Sequence, residues 1–534
     1  NSGKVLTINS PSQVLAHTQQ QVFDGTGTVS FTNGGIVSPG WWGFSSGGTA
    51  AANADAYNAC TASLTATGGA IVIPPTGAAH QVDDTLTHPA KPMSVIGAHP
   101  ELSIIESTAT ASLKHGLTFT RSHHVRNLTI KTSASLASNY DMYGVRMDLD
   151  GVTVSGGNQA VKWESVKVRG FNNSFYCDGG DAYNVDRLYF NDLDAQCSGP
   201  ASTYIGSCLY INRVTQVYGT HSQFDQNSTG EHAIYCFGSK NLVFDGFKIR
   251  NFDKGTAQAI KVVGNGVAPD DDQAYPTWSI RNMDIADGLN GILCGIYGTE
   301  TLEALTVENC KFVDVDTSAA ILGCVYLSAA GTSNIRTLRV SGISTRNCLY
   351  QGVHVATGAS ATMGPVSIRD CKGYNWSTTS AGTYTWFGTS GTGTFGPITL
   401  EGIEADGNSK GRTIVSGSGQ ASTISRIRYS GLKEVNTTNM GRPISLPEAD
   451  ATPSLAIGNW FVQPNTGAQN ITAYDNLEAN QTYYIRFSTA NTTLIDGANL
   501  QLAGSTNYNP PANTFMTFYC SDGTALYEVS RSVN

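Results

Sequence analysis

The sequence predicts an all-β chain wound as a right-handed parallel β-helix, and three observations carry that reading. The first is a recurring unit: apolar, any, apolar, then a corner of Gly, Asn or Asp, then apolar, any, apolar. NLVFDGFKIRNF (241–252) shows it, with Leu242 and Phe244 before Asp245-Gly246 and with Phe247 and Ile249 after. Anchored on the second apolar residue, the units at Ile280, Val307, Val340, Ile368, Leu400 and Tyr429 lie 27 to 33 residues apart. Alternation by two is a strand signal, and a repeat of this length is a solenoid signal. The second observation is a short strand ahead of each unit: FYC (175–177), CLYI (208–211), AIYC (233–236), AIKV (259–262), GILC (291–294) and GCVYL (323–327). That makes three strands per coil. The third is composition. Only 14% of residues are charged, against roughly 25% in soluble domains, as expected where Ser, Thr, Asn and Gly line stacked corners. Helical repeats would need a 3.6-residue period, and leucine-rich repeats a Leu and Asn consensus; neither is present.

Taken in order, residues 1–45 read as polar neck strands ending in GGIVSPGWWGF, where Pro39-Gly40 marks a turn ahead of Trp41 and Trp42. TAAANADAYNACTASL (49–64) has no breaker and reads as a helix placed to cover the open edge of the first coil. GGAIVIPPTG (68–77) is a buried strand ended by two prolines. The β-helix, with its capping helix, is assigned to 46–450. Its early copies of the unit are Leu128 and Ile130; Val166, Val168 and Phe171; Leu188, Phe190 and Leu193; and, more weakly, Val217 and Phe224. Two insertions, 264–278 and 375–396, interrupt the ladder. From 451 to 534 the pattern gives way to hairpin signals at Asp496-Gly497 and Asp522-Gly523, predicting a small antiparallel β domain that caps the solenoid.

A net charge of −9 with no basic block argues against nucleic acid and anionic membranes as partners. No stretch is long and apolar enough to span a bilayer and none reads as a signal peptide, so membrane insertion is not expected. The eleven cysteines form no CxxC pair. They read as small apolar core residues, with Cys177, Cys236 and Cys294 on the first strand of their coils and Cys310 and Cys371 at one inward position. Free buried thiols suit assembly in a reducing cytosol. His123 and His124 are adjacent on a strand and so point to opposite faces, which sets aside a metal site there. Asp270, Asp271 and Asp272 read as a solvated acidic loop rather than a Ca²⁺ site. No metal and no cofactor are expected.

The order WWG, helix, GGAIVIPP, polar strand, MSVIGAHP resembles the start of the pectate-lyase-like β-helix of bacteriophage tailspikes. The likeness covers about residues 20 to 435, with SSGGTAAANADA standing where an acidic Asp-Asp usually precedes the helix. The C-terminal region is similar to the β domains of trimeric tail proteins. The resemblance implies a homotrimer carried on a virion tail and attached to baseplate or neck through a missing N-terminal part. It also implies assembly in the host cytoplasm. The implied activity is binding and cleavage of a bacterial surface polysaccharide, O-antigen or capsule, most often by an endoglycosidase.

Glycoside hydrolysis needs two carboxyl groups about 5 Å apart for retention or roughly 6.5–9.5 Å apart for inversion. Equivalent positions on neighbouring coils lie about 4.8 Å apart, so acids one or two coils apart on one face meet that requirement. The densest polar region is DQNSTGEHAIYC followed by NFDKGTAQAIKV. Aligning Ile234-Tyr235-Cys236 with Ile260-Lys261-Val262 stacks His232 over Gln258 and Tyr235 over Lys261. Asp225, Glu231 and Asp253 fall in the turns beside them, Asp287 and Asp314 at matching positions of the next coils, and Asp316 at the position that matches Asp253. Glu231 is the expected acid, Asp253 or Asp287 the base or nucleophile, and Asp225 a further member of the patch. The bland alternative for each is an Asp that bonds its own turn.

His232, Tyr235 and Lys261 are expected substrate contacts. The same trio suits a lyase that abstracts the proton α to a uronate carboxylate of an acidic capsule. AIKVVGNG is similar to the catalytic coil of polygalacturonases, but the Asp-Asp and Gly-His-Gly of that family are missing. Tyr140, Tyr143, Tyr176, Tyr183, Tyr204, Tyr218, Trp376, Tyr384 and Trp386 are read at turns or in loops, placed to stack on sugars or to pack against a neighbouring subunit. Trp376 and Trp386 complete the expected substrate-binding set. A receptor-binding fibre without catalysis is the reading from a different class.

Overall fold

Each strand of the solenoid hydrogen-bonds in parallel to its counterpart one coil on, and three such ladders make up a right-handed parallel β-helix. The structure, a computed structural model, describes residues 3–25, 27–88, 90–109, 115–133, 142–149, 159–181, 183–197, 206–226, 232–252, 258–264, 274–316, 323–348, 351–376, 386–407, 427–430, 433–435, 444–455 and 459–532. The chain forms two compact units, Asn1–Leu327 and Ser328–Asn534.

In the first unit, one sheet stacks the short strands Tyr143–Asp148, Asn173–Asp178, Ser207–Asn212, His232–Phe237 and Gln258–Val263. A second stacks Val185–Asn191, Val214–Thr220, Asn241–Asp245, Ala274–Arg281 and Thr301–Glu308. A third stacks Asp194–Gln196, Gln223–Asp225, Lys248–Arg250, Asp284–Leu289 and Lys311–Asp316. Alternate side chains point inward, as a pleated strand requires. The anchors Phe190, Phe244, Ile280 and Val307 fall in one register column, with Gly219 in the place of the weak copy. All four apolar anchors are fully buried, each contributing about 1.5–3 kcal/mol of burial.

The corner between the second and third sheets is a single residue with a left-handed backbone. Asn127, Ser165, Asp192, His221, Gly246, Asn282 and Asn309 hold it on successive coils, with φ between +46° and +75°. This explains the Gly, Asn or Asp corner of the repeat, because those residues enter that conformation at least cost. It also corrects the repeat at two places. Leu128 and Ile130, and Val166 and Val168, lie after the corner on the third sheet, not before it. Ser165 carries no corner signature, so Arg169-Gly170 took its place in the sequence pattern.

The helix spans Ala50–Ser63, with the Thr49 hydroxyl accepting from the Ala52 N–H at 3.3 Å and Leu64 as its C-cap. Its buried face carries Ala54, Ala56, Tyr57 and Cys60 and lies against the strands Thr28–Phe31, Ala79–Val82 and Leu86–Thr87. Tyr57 Oη and His88 Nε2 meet at 2.8 Å, and Asn53 donates to the Gln81 carbonyl at 2.9 Å. Trp41 is buried in the 3₁₀ turn Pro39–Trp42, its indole N–H donating to the His17 carbonyl. No helix among the described residues is long and apolar enough to cross a membrane.

In the second unit the anchors Val340, Ile368, Leu400 and Tyr429 align in register, and Gly342, Asp370 and Gly402 carry the left-handed corner. The C-terminal sheet joins Trp460–Gln463, Gln481–Phe487, Thr514–Cys520 and Leu526–Ser532 over a core that includes Phe461, Ile485, Phe487, Phe518 and Leu526. It is mixed rather than wholly antiparallel, since Trp460–Gln463 pairs in parallel with Gln481–Phe487. Asp522-Gly523 does connect an antiparallel pair, with Gly523 at φ +84°. Asp496-Gly497 does not: Leu500–Gln501 pairs with Leu526–Ser532 instead of folding back. All eleven cysteines are buried and none is in a disulfide.

Candidate functional site

On the third sheet, Val168, Ala195, Phe224 and Ile249 point inward, so their neighbours in sequence form two outward columns. One runs Lys167, Asp194, Gln223, Lys248, Asp284; the other runs Arg169, Gln196, Asp225, Arg250. The arginines act alike. Arg169 pairs with the Asp194 carboxylate and donates to its carbonyl at 2.6 Å. Arg250 pairs with Asp284 at 2.8 Å and donates to its carbonyl at 2.7 Å. Between them sits Asp225, half-buried, accepting from the Asn251 amide at 3.0 Å.

These side chains line a cavity of about 360 Å³, whose walls include Arg169, Asp194, Gln196, Asp225 and Lys248. A second cavity, of about 500 Å³, adjoins it at the left-handed corner. The two share Asp194, Gln223 and Lys248, and the corner cavity adds Lys167, Asp192 and His221. Asp194 and Asp225 are one coil apart and offset by two residues along the strand. Coil spacing and strand rise put their backbones roughly 8 Å apart.

The first sheet presents a different outward column: Arg146, Tyr176, Tyr210, Tyr235 and Lys261 in register. Tyr176 and Tyr210 stack with ring centres 4.9 Å apart, Tyr210 meets Tyr235 edge-on at 5.4 Å, and Lys261 Nζ lies 4.8 Å from the centre of the Tyr235 ring. Two residues along, Asp148 and Asp178 face each other across neighbouring coils. Burial raises the Asp178 carboxyl above its ordinary range, opposed by hydrogen bonds from the Asn212 amide and the Gly180 N–H and reinforced by the Asp148 charge. Asp194, Asp148, Asp178 and Tyr210 were not singled out from sequence, because outward strand positions carry no periodic signature of their own.

Of the sequence-predicted residues, the structure places Asp225 in the groove and Tyr235 beside Lys261 in the predicted register. Glu231 and Asp253 lie outside the described residues, as do Tyr140, Tyr204, Tyr384, Asp270, Asp271, Asp272 and the side chains of Asp316 and Trp376. Asp287 and Asp314 match in register, as expected. They are exposed and stand within the strands Asp284–Leu289 and Lys311–Asp316 at left-handed positions, with φ of +58° and +53°, and Asp287 is not among the described residues lining either cavity.

Two expected sugar contacts are corrected. His232 aligns with Gln258 but is buried, its Nδ1 accepting from the Gln258 N–H at 3.2 Å. Trp386 is buried completely and donates to Thr345 Oγ1 at 3.2 Å. Tyr143, Tyr176 and Tyr218 stand on strands rather than in loops, and Tyr183 is buried. His123 and His124 do point to opposite faces. His123 is buried against Phe119 and accepts from the Trp163 indole N–H at 2.9 Å, while His124 meets Glu164 at 2.6 Å.

A parallel β-helix with a charged, amide-lined groove on one face is thus the class of protein that fold and site define. No protein-family model and no curated protein matches the chain. Among solved structures it is similar to the catalytic unit of a thermostable GH87 α-1,3-glucanase from Streptomyces thermodiastaticus strain HF3-3, at 11% identity and a TM-score of 0.38, over 76% of this chain and 69% of that one. It is also similar to tailspike protein 3 of bacteriophage CBA120, at 11% identity and a TM-score of 0.33, over 85% of this chain and 66% of that one. A third is the mannuronan C-5 epimerase A-module of Azotobacter vinelandii, at 11% identity and a TM-score of 0.29, over 76% of this chain and all of that one.

Proposed function

We propose that this chain is a tailspike-like depolymerase that binds a bacterial surface polysaccharide, O-antigen or capsule, and cleaves it by endoglycosidic hydrolysis in the groove of the third sheet. The observation that carries the reading is the Asp194–Asp225 pair on neighbouring coils of a cavity walled by amide and cationic side chains. Their offset suits inversion, in which one carboxyl protonates the leaving oxygen and the other activates a water on the opposite face of the sugar. Asp194, held by Arg169 through both its carboxylate and its carbonyl, is assigned the base. Asp225 is assigned the acid, with Glu231 and Asp253 as further proposed carboxyl contributors. Gln196, Gln223 and Lys248 supply donors for sugar hydroxyls. Homotrimer formation through the C-terminal sheet and carriage on a virion tail belong to the same proposal.

One observation favours a second reading. Lys261 and Tyr235, 4.8 Å apart on the first sheet, are the residue types that abstract a proton α to a uronate carboxylate, which would make the chain a lyase. The product profile from purified surface polysaccharides, read by mass spectrometry, separates the readings. Oligosaccharides with one water added per cut support hydrolysis. Fragments lacking that water and absorbing in the ultraviolet support elimination. Binding without any fragment would overturn both and leave a receptor-binding fibre.

A further inference from the structure

We infer that the corner cavity is a subsite for a sugar residue bearing an acidic group, held by Lys248 and His221. The inference rests on the groove beside it being a glycan-binding site. Lys248 stands at the junction of the two cavities and lines both. The other cations facing the groove are tied to carboxylates: Lys167 to Glu101, Arg169 to Asp194 and Arg250 to Asp284. Lys248 is exposed and has no ion pair and no side-chain hydrogen bond among the described residues. The acids that share the cavity are already engaged, Asp194 by Arg169 and Asp192 by the Ser165 hydroxyl at 2.8 Å. An anion brought in by a ligand therefore meets a cation with no competing partner among the described residues.

His221 is the second observation. It occupies the left-handed corner with φ +46°, where the coils on either side have Asp192 and Gly246. A non-glycine residue in that conformation carries a backbone cost, and among the described residues neither ring nitrogen has a hydrogen-bond partner that would repay it within the fold. The ring lies against the corner of the next coil: a β-carbon built at Gly246 would be in ordinary van der Waals contact with it, 3.4 Å from His221 Cδ2 and 3.8 Å from Nε2. The imidazole thus lies along the corner column, beside the cavity it helps to line. Strain without a structural return is the mark of a residue kept for a ligand. Gln223, between the two, likewise has no side-chain hydrogen bond among the described residues. Ammonium, imidazole and amide converge on a space of about 500 Å³, within the range of small-molecule sites.

The test is titration calorimetry of the intact protein and of its His221→Gly and Lys248→Met variants. The probes are uronate-containing bacterial capsules and the same polymers after chemical reduction of their carboxyl groups, with thermal unfolding of each variant alongside. The expected result is at least tenfold tighter binding of an acidic polymer than of its reduced form by the wild-type protein. Each variant should lose that difference, and His221→Gly should unfold at an unchanged or higher temperature because glycine relieves the corner. Affinity that survives reduction in a phosphate-substituted polymer, but falls in Lys248→Met, supports the subsite and identifies the acidic group as phosphate. Equal affinity for both forms with Lys248→Met unaffected overturns the subsite while leaving the groove reading intact. A lower unfolding temperature for His221→Gly with unchanged binding also overturns it, by giving the ring a structural role. Failure of every polymer, acidic or reduced, to bind overturns the groove reading along with it.

Discussion

Asp194 and Asp225 stand on neighbouring coils of the third sheet, offset by two residues. The first is clamped by Arg169 and the second is held through the Asn251 amide. The inward partners of the two strands, Ala195 and Phe224, are buried, so the backbone under each carboxylate is fixed, and the contacts to Arg169 and Asn251 restrain the two side chains. That rigidity is what a pair of acid and base groups requires.

Replacing either carboxylate by its amide should therefore separate chemistry from binding. Asp225→Asn and Asp194→Asn are each expected to lower the rate of oligosaccharide release by about 10²–10⁴-fold, with affinity for the intact polymer within a few-fold of wild type. Because both groups are partly exposed, the loss of folding stability should stay below about 1 kcal/mol. Release assays, binding titrations and thermal melts on the two variants check all three. Full activity in both would remove the site from this groove.

How much of this was legible in the sequence depends on which way a side chain points. The inward columns were readable because apolar alternation and the Gly, Asn or Asp corner both mark them: Phe244, Ile280 and Val307 align as their spacing predicts. The groove was not. Asp194 sits in a three-residue strand whose single apolar residue is Ala195, so nothing in the local pattern couples it to Asp225. His232 was misjudged although its parity was available: it shares the inward phase of Ile234 and Cys236, and a polar residue at a strand start was read as outward. The signal for Trp386 was equally indirect. It lies at Gly352, where a β-carbon would meet the indole at 2.3 Å, so the glycine is the room the ring needs.

Buried histidines set the acid limit of the fold. Burial lowers His88 to about 4 and His115 and His123 to about 3, whereas an unfolded histidine titrates near 6.5. Above about pH 6.5 neither state is protonated at these rings and the full stability is present. As pH falls below that value the unfolded chain takes up protons that the folded chain refuses, and stability declines until the folded rings titrate at about 3 to 4. Each ring should contribute a slope of about 1.4 kcal/mol per pH unit in that window. Urea unfolding at pH 7 and pH 5 measures it. His123→Gln, which keeps an acceptor for the Trp163 indole N–H, should reduce the slope by one proton. An unchanged slope would mean that His123 is protonated in the folded state.

The thiols offer a test of core integrity. All eleven are buried, and burial pushes Cys236 and Cys371 up to about 12, so both thiolate formation and access are suppressed. An aromatic disulfide reagent at neutral pH is expected to find none in the native protein and all eleven after unfolding. Rapid reaction of Cys236 or Cys371 in the native state would contradict the packing of the coil that carries it.

Gly219 links the least regular coil of the repeat to the energetics of the core. It occupies the inward column between Phe190 and Phe244, where every other described anchor of the first unit is a bulky apolar residue. A β-carbon there would lie 2.1 Å from Cζ of Phe190: the phenyl ring of one coil fills the place that a side chain of the next would take. The same substitution of glycine for an apolar letter is what weakened the repeat at that coil. Gly219→Ala should then cost about 1–3 kcal/mol through overpacking, and Phe190→Ala about 3–5 kcal/mol through the cavity it leaves. Combined, the two changes should cost at least 1 kcal/mol less than their sum, because the methyl enters space that the ring has vacated. Denaturant unfolding of the two single variants and the double variant closes the cycle. Strict additivity would mean that the Phe190 ring is not what excludes a side chain at Gly219.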